Sequence, residues 1–300
     1  MKVVCSAPGK VIISGEHSVV YGRHAIVTAV SLRCYVTAEE SREIRIRSQL
    51  GETGIDYEVH PYISTAIDVF KERFDLKSAE ITVESEIPIA SGLGSSAAVT
   101  VATLKALSEL CGAGVKKEQI FEMAREVELR VQGRASGVDP FVSTFGGAWL
   151  MPERERFDFD AEMLVVDSGE SSVTAEMVRR VAELRERLPD VVDRVFDAMD
   201  SITLGIKRAL ESEEGFEKLG ELFRMNHCML KAIGVSTPLL DRIVEELGEE
   251  GLAAKLTGAG GGGCVLAVGD EREVERGAER LKNFRVIRLK PERDGVRVES

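Results

Sequence analysis

The sequence predicts an α+β fold in two domains, 1–156 and 157–300. Three observations carry this. Strand-like and helix-like segments follow one another in mixed order, not in the regular βαβ alternation of a doubly wound sheet. A stretch of proline and alternating charge, 151–160, breaks the composition near the middle of the 300 residues. No internal repeat is visible, so the halves are not copies of one repeated unit.

The elements follow from residue type and spacing. Short β-branched segments at 2–6, 11–14, 24–30, 34–39 and 43–47, separated by glycine, proline and charged turns, read as strands. In 60–74, Ile63, Ile67, Phe70 and Phe74 recur at helical spacing. A strand at 81–83 leads through Pro88 to a glycine-rich turn. Two helices are expected at 96–111 and 117–131, and a third starts near Pro140. The second half reads as a strand at 163–167, several amphipathic helices between 174 and 247, and a strand at 252–256. A second glycine run (258–263), a strand (264–268), a helix (271–282) and a strand (284–289) complete it.

Composition narrows the function. The net charge of −12 weighs against a nucleic-acid or anionic-membrane partner. An acidic chain binds anions locally, with backbone N–H groups, helix N-termini and a few placed cations. Cys5, Cys34, Cys111, Cys228 and Cys264 are scattered without a CxxC pair, which argues against a disulfide framework or a zinc site and for a reducing cytoplasm. The opening residues are too soon broken for a signal peptide, and no apolar run approaches the ~20 residues of a membrane span. Asn226, Asn283, Gln49, Gln119 and Gln132 are the only side-chain amides, a bias that fits proteins of hot environments.

The most informative stretch is Pro88-Ile89-Ala90-Ser91-Gly92-Leu93-Gly94-Ser95-Ser96-Ala97-Ala98. Its glycines let the backbone approach a ligand closely. Small residues then open a helix whose first N–H groups and dipole favour an anion. The pattern also fits a dinucleotide fingerprint, but a second helix follows where that fold needs a strand. No Gly-Lys-Ser/Thr follows the glycines, so it is not a Walker loop. The plain alternative is a loop with Ser95 or Ser96 capping a helix.

Three motifs together carry a resemblance. The segments Pro8-Gly9-Lys10-Val11-Ile12-Ile13-Ser14-Gly15-Glu16-His17, the glycine turn, and Lys255-Leu256-Thr257-Gly258-Ala259-Gly260-Gly261-Gly262-Gly263 are similar to the three signature motifs of the GHMP kinases, in the family's order. Within that family, Gly15-Glu16-His17-Ser18-Val19-Val20-Tyr21-Gly22 and Ser136-Gly137-Val138-Asp139 most resemble the members that phosphorylate mevalonate. The resemblance implies an N-terminal domain like ribosomal protein S5, a ferredoxin-like C-terminal domain and an active site between them. It implies ATP as co-substrate, Mg²⁺ as cofactor and 5-phosphomevalonate as product, in isoprenoid synthesis. A homodimer is a further expectation.

The same resemblance assigns residues. Pro88, Ser91, Gly92, Leu93, Gly94, Ser95, Ser96, Ala97 and Ala98 would bind ATP, and Ser96 with Glu128 would hold Mg²⁺; read alone, Glu128 is a solvated helix glutamate. Asp139 would act as catalytic base and Lys10 would sit beside it, keeping the carboxylate ionised. Read alone, Asp139 before Pro140 is a helix N-cap. Lys10, Glu16, His17, Asp139, Gly258, Ala259 and Gly260 would contact the substrate, with His17 donating to a hydroxyl or carboxylate. His24, His60 and His227 read as structural. Gln132-Gly133-Arg134-Ala135 departs from the His-Gly that many members carry there, which excludes acid–base work at that position. The competing readings are a kinase for phosphomevalonate, homoserine or a sugar, a decarboxylase of the same superfamily, and a binder that kept only the fold.

Overall fold

The computed structural model describes residues 1–88, 91–133, 135–212 and 215–300. Ile89 and Ala90 of the glycine-turn motif, and Arg134, lie outside the described residues. The chain forms two compact units, and neither is a continuous half. The first contains 1–10, 29–147 and 292–300; the second contains 11–28 and 148–291. The division expected after residue 156 falls inside the second unit's long segment. Local composition could not reveal that 11–28 and 292–300 each pack away from their sequence neighbours.

In the first unit, strands β1 (Lys2–Ser14), β2 (Ala25–Glu40), β3 (Arg45–Ser48), β4 (Gly51–Thr53) and β5 (Ala79–Ser85) contribute to a sheet ordered β12-β1-β2-β5-β3-β4, where β12 is Arg297–Val298. β2 and β5 pair antiparallel from Cys34 opposite Ser85 to Glu40 opposite Ala79, whereas β3 runs parallel to β5. Four helices belong to this unit: α1 (Pro61–Lys71), α2 (Ser95–Leu110), α3 (Lys117–Gln132) and α4 (Val138–Phe145). Ile63, Ile67 and Phe70 give α1 one buried stripe. α2 buries Ala97, Ala98, Val101, Ala102, Leu104 and Leu107, residues that go round the helix, so it forms the unit's centre.

Two expected breaks are absent. β1 continues through Pro8 and Gly9, joining the strands expected at 2–6 and 11–14. Pro8 has no N–H to give a ladder, but its carbonyl accepts from Ser143 Oγ at 2.8 Å, and Lys10 N–H donates to Leu93 O at 2.9 Å. β2 likewise runs unbroken through Ser31, Leu32 and Arg33, because nothing in that tripeptide forbids extended backbone. Arg33 is 2 % exposed and donates to Ser6 Oγ and to Gly295 O, both at 2.7 Å, which ties the chain's last segment into the unit.

The second unit holds a four-stranded antiparallel sheet of β8 (Glu162–Asp167), β9 (Ala253–Thr257), β10 (Cys264–Gly269) and β11 (Arg285–Leu289), in the order β11-β8-β10-β9. With helices between β8 and β9 and again between β10 and β11, this is the ferredoxin-like order. The helices are α5 (Thr174–Arg187), α6 (Pro189–Leu210), α7 (Phe216–Ala232), α8 (Pro238–Glu249) and α9 (Glu271–Arg280). Strand alternation turns Leu164 and Val166, Val265 and Ala267, and Ala254 and Leu256 into one core with Phe196, Leu230, Leu240 and Ile243 of the helices. The start of β2 pairs with β6 (Ala148–Met151), which pairs with β7 (Glu155–Phe157). No helix among the described residues is long and apolar enough to cross a membrane.

Candidate active site

In the first unit, the glycine turn lies directly on β1. Gly94 adopts φ +74°, and a Cβ there would come within 2.8 Å of Lys10 Cγ, while a Cβ on Gly9 would meet Leu93 O at 2.7 Å. Both glycines are therefore required for the contact that seats Lys10 against the turn. Gly94 is also the N-cap of α2 in left-handed conformation, with no side-chain cap. The expected capping by Ser95 or Ser96 is replaced by this backbone cap, because the helix already starts at Ser95. The first i→i−4 bond is Ala98 N–H to Gly94 O at 3.0 Å, so the N–H groups of Ser95, Ser96 and Ala97 precede the ladder. Ser91 Oγ donates to Pro88 O at 2.8 Å and closes the turn's entry.

Asp139 lies in the first turn of α4, whose N-cap is Gly137 in left-handed conformation. The N-cap reading of Asp139 is thereby corrected: the helix starts one residue before it, at Val138. The Asp139 carboxylate faces Lys10, with Nζ to Oδ2 at 3.2 Å; the lysine side chain is 8 % exposed and the aspartate 32 %. Behind α4, Val296 N–H donates to Thr144 O at 3.1 Å, bracing the helix from its C-terminal end.

Glu128 projects from α3 and is half-buried, not solvated as a helix glutamate would be. Its Oε2 accepts from Gly137 N–H at 3.1 Å, the residue that caps the Asp139 helix. Burial pushes its carboxyl above the usual range, and the neighbouring Asp139 charge adds to that, against the Gly137 hydrogen bond and Lys10. Two carboxylates thus stand close enough to repel, and Lys10 acts electrostatically on both. A hydroxyl and carboxylates are hard oxygen donors of the kind Mg²⁺ takes, and a bound cation would relieve that repulsion. No cluster of three His, Cys, Asp or Glu that could hold a metal ion occurs among the described residues.

In the second unit, the end of β1 is anchored by polar side chains. Ser14 Oγ lies 2.7 Å from Thr203 Oγ1 on α6 and accepts from Asn226 Nδ2 on α7 at 3.2 Å. Thr203 Oγ1 spends its own hydrogen on Met199 O, so Ser14 is the donor to Thr203. Gly15 follows at φ +96°, where a Cβ would strike His24 O at 2.4 Å. The chain then turns through Glu16 and His17.

Glu16 directs its carboxylate inward. Its Oε1 accepts from Lys255 Nζ on β9, with the glutamate side chain 1 % and the lysine 0 % exposed. Lys255 Nζ also donates to Leu256 O at 2.7 Å. Burial pulls the lysine below its ordinary range, and Glu16 opposes that. His17 stands at φ +62°, unusual for a residue with a Cβ, and its Nε2 lies 2.9 Å from Ala259 O. A carbonyl only accepts, so Nε2 carries the proton and Nδ1 is the acceptor nitrogen. Burial holds the ring below the ordinary histidine range. The expectation that His17 donates to substrate is thereby narrowed, since its one donor is already used by Ala259.

The glycine run after β9 is fixed by backbone contacts. Gly261 N–H donates to Val235 O at 2.7 Å and Gly263 N–H to Glu170 O at 3.0 Å. A Cβ on Gly260 would reach Val235 O at 2.1 Å, whereas Gly258, at φ +84°, has open space beside it. Of the three residues expected at the substrate, Gly260 is packed inside, and Gly258 and Ala259 are half-buried.

Sequence reasoning read His227 as structural but could not name what it holds. It accepts from Leu256 N–H through Nδ1 at 3.3 Å and donates through Nε2 to Asp241 at 3.0 Å, so it completes the outer edge of β9. Burial keeps it neutral, below the usual histidine range. The one available signal was Asn226-His227, an amide beside a histidine in a chain that contains two asparagines. None of the five cysteines is in a disulfide among the described residues, and burial raises the thiols of Cys5, Cys34 and Cys264 to about 12.

Known proteins resemble this chain along its whole length. The profile of the GHMP kinases N terminal domain matches residues 61–147, and that of the GHMP kinases C terminal domain matches 206–286. A mevalonate kinase of Archaeoglobus fulgidus is 51 % identical over 298 residues, covering 99 % of this chain and all of the relative. One from Pyrococcus furiosus is 38 % identical over 333 residues, covering 100 % of this chain and 99 % of the relative. The crystal structure of the Methanococcus jannaschii mevalonate kinase superposes with a TM-score of 0.86 at 29 % identity, over 97 % of this chain and 98 % of that one. The chain belongs to the GHMP kinase family.

Proposed function

We infer that this chain transfers the γ-phosphoryl group of ATP to the 5-hydroxyl of mevalonate, giving 5-phosphomevalonate for isoprenoid synthesis. The observation that carries the reading is the Lys10–Asp139 pair seated against the glycine turn that starts α2. Full-length similarity to mevalonate kinases supports mevalonate as the alcohol.

Phosphoryl transfer asks a protein mainly for positioning and charge neutralisation. The segment 91–98, with Pro88 at its entry, presents the leading N–H groups and positive dipole end of α2 to the ATP phosphates. Asp139 takes the proton of the mevalonate hydroxyl, or aligns it, as the new O–P bond forms and the bond to the β-phosphate oxygen breaks, releasing ADP. Lys10 pairs with Asp139 and draws charge from the alcohol oxygen. Ser96 and Glu128 would hold Mg²⁺, which when bound neutralises phosphate charge. His17, Gly258 and Ala259 are the substrate-side residues proposed in the second unit; Gly260 supports them from behind. The cytoplasm is the compartment proposed, in keeping with the free cysteines, and a homodimer is the assembly proposed, which light scattering would check.

A coupled ADP-release assay across mevalonate, phosphomevalonate, homoserine and galactose tests the substrate. Activity with mevalonate alone is expected; equal turnover of another alcohol would overturn the reading, and release of CO₂ would indicate a decarboxylase instead.

A further inference from the structure

Burying a full ion pair is a poor way to gain stability, because two charges leave water and an apolar pair of the same size packs as well. Lys255 and Glu16 are nonetheless both buried, and Glu16 Oε2 has no hydrogen-bond partner among the described residues. An incompletely satisfied buried pair points to geometry as its use. The geometry is specific. Glu16 precedes His17, and Lys255 lies on the strand that leads into Ala259. One cross-link, Glu16 to Lys255, therefore stands beside a second, His17 Nε2 to Ala259 O, and the two close a small frame. Lys255 also holds the Leu256 carbonyl, whose own N–H is held by His227, and Thr257 Oγ1 donates to Ile12 O at 2.8 Å. Every residue from 255 to 257 is thus tied to something fixed. His17 occupies a left-handed conformation that persists only where its surroundings over-determine it.

We propose that the buried Glu16–Lys255 pair is a positioning device for His17: it fixes the turn so that the imidazole stays bonded through Nε2–H to Ala259 O and offers Nδ1 as an acceptor. The ring then takes a hydrogen from a hydroxyl of the substrate and does not bind its carboxylate. Glu16, expected among the substrate contacts, acts through Lys255 and not by touching mevalonate. This rests on the substrate role of His17 given above.

The test uses the full chain with ¹⁵N-labelled histidine. In the wild type, the His17 ring is expected as the neutral Nε2–H tautomer, titrating below the ordinary ~6.5; a ring that titrates there as a free imidazole would overturn the proposal without any variant. In the double variant Glu16→Met/Lys255→Met, which removes both charges together, the expectation is a mixed tautomer and a changed titration. KM for mevalonate should rise roughly tenfold, with kcat within about threefold and KM for ATP unchanged. Glu16→Gln, milder and able to keep one hydrogen bond, should fall between. A folded double or Glu16→Gln variant with His17 titration and mevalonate KM unchanged would contradict the proposal. His17→Ala separates the two readings: if it leaves mevalonate KM alone, the substrate role of His17 fails, while the tautomer shift still reports on the pair.

Discussion

Each unit contains a lysine–carboxylate pair with one member from the segment 8–17, and the two differ in burial. Lys10 and Asp139 meet at 3.2 Å with the aspartate about one-third exposed, whereas Glu16 and Lys255 are shut inside. The difference teaches which kind of work a charge pair can do. A carboxylate that must meet a substrate needs a free face, so its partner stands to one side and tunes it. A carboxylate that must hold two loops in register gives up that face entirely. Residue type does not separate the cases; surroundings do.

The comparison can be broken by removing one member of the buried pair. Lys255→Met leaves Glu16 buried without a counter-charge and should cost about 3–5 kcal/mol in urea unfolding, with much of that recovered in Glu16→Met/Lys255→Met. A single variant as stable as wild type would mean that Glu16 reaches water or a proton easily. The exposed pair is sharpened by the glycine that seats it. Gly94→Ala puts a Cβ at 2.8 Å from Lys10 Cγ in a left-handed residue, so KM for ATP should rise and stability should fall by about 1–2 kcal/mol. Ordinary ATP saturation in Gly94→Ala would detach the turn from the nucleotide.

Much of this was legible beforehand, for identifiable reasons. The strand, turn and helix around Gly92 and Gly94 are local, and local patterns survive folding; so are α1 to α3 and the β10-α9-β11 run. The short strands β4, β7 and β12 were not legible, since two or three residues carry no periodicity, and each exists only because a neighbour offers a ladder. The N-cap reading of Asp139 failed because Gly137 in left-handed conformation starts the helix earlier than Pro140 suggests. Lys10 beside Asp139 was expected from motif resemblance, and the structure places them together. Glu16 and His17 were expected as equals, but only three-dimensional packing distinguishes an inward carboxylate from a ring that keeps one nitrogen unclaimed. Ser14 lies 189 and 212 residues in sequence from its polar anchors Thr203 and Asn226, and no spacing rule connects them.

A smaller effect separates the units by pH. Burial depresses the His17 and His227 rings in the second unit and the His60 ring in the first. The unfolded chain therefore binds protons that the folded chain refuses. Their contribution is full above ~6.5 and is lost as pH falls from there through the lower folded values. The urea midpoint should drop between pH 7.5 and 5.5, with less drop in His227→Gln than in the wild type; a midpoint that rises on acidification would contradict the neutral rings. The smallest effect is expected for Gly92→Ala. A Cβ there meets no described residue within 4 Å, so the φ of +73° is the strain considered, and about 1 kcal/mol should be lost with Lys10 undisturbed.

The central claim is that Asp139, braced by Lys10, handles the proton of the acceptor alcohol. Its most direct test is kcat for Asp139→Asn with mevalonate, measured beside its urea midpoint. A fall of ~10²–10⁴ in kcat is expected, with the midpoint and KM for ATP nearly unchanged. Turnover at the wild-type rate in the folded variant would contradict it.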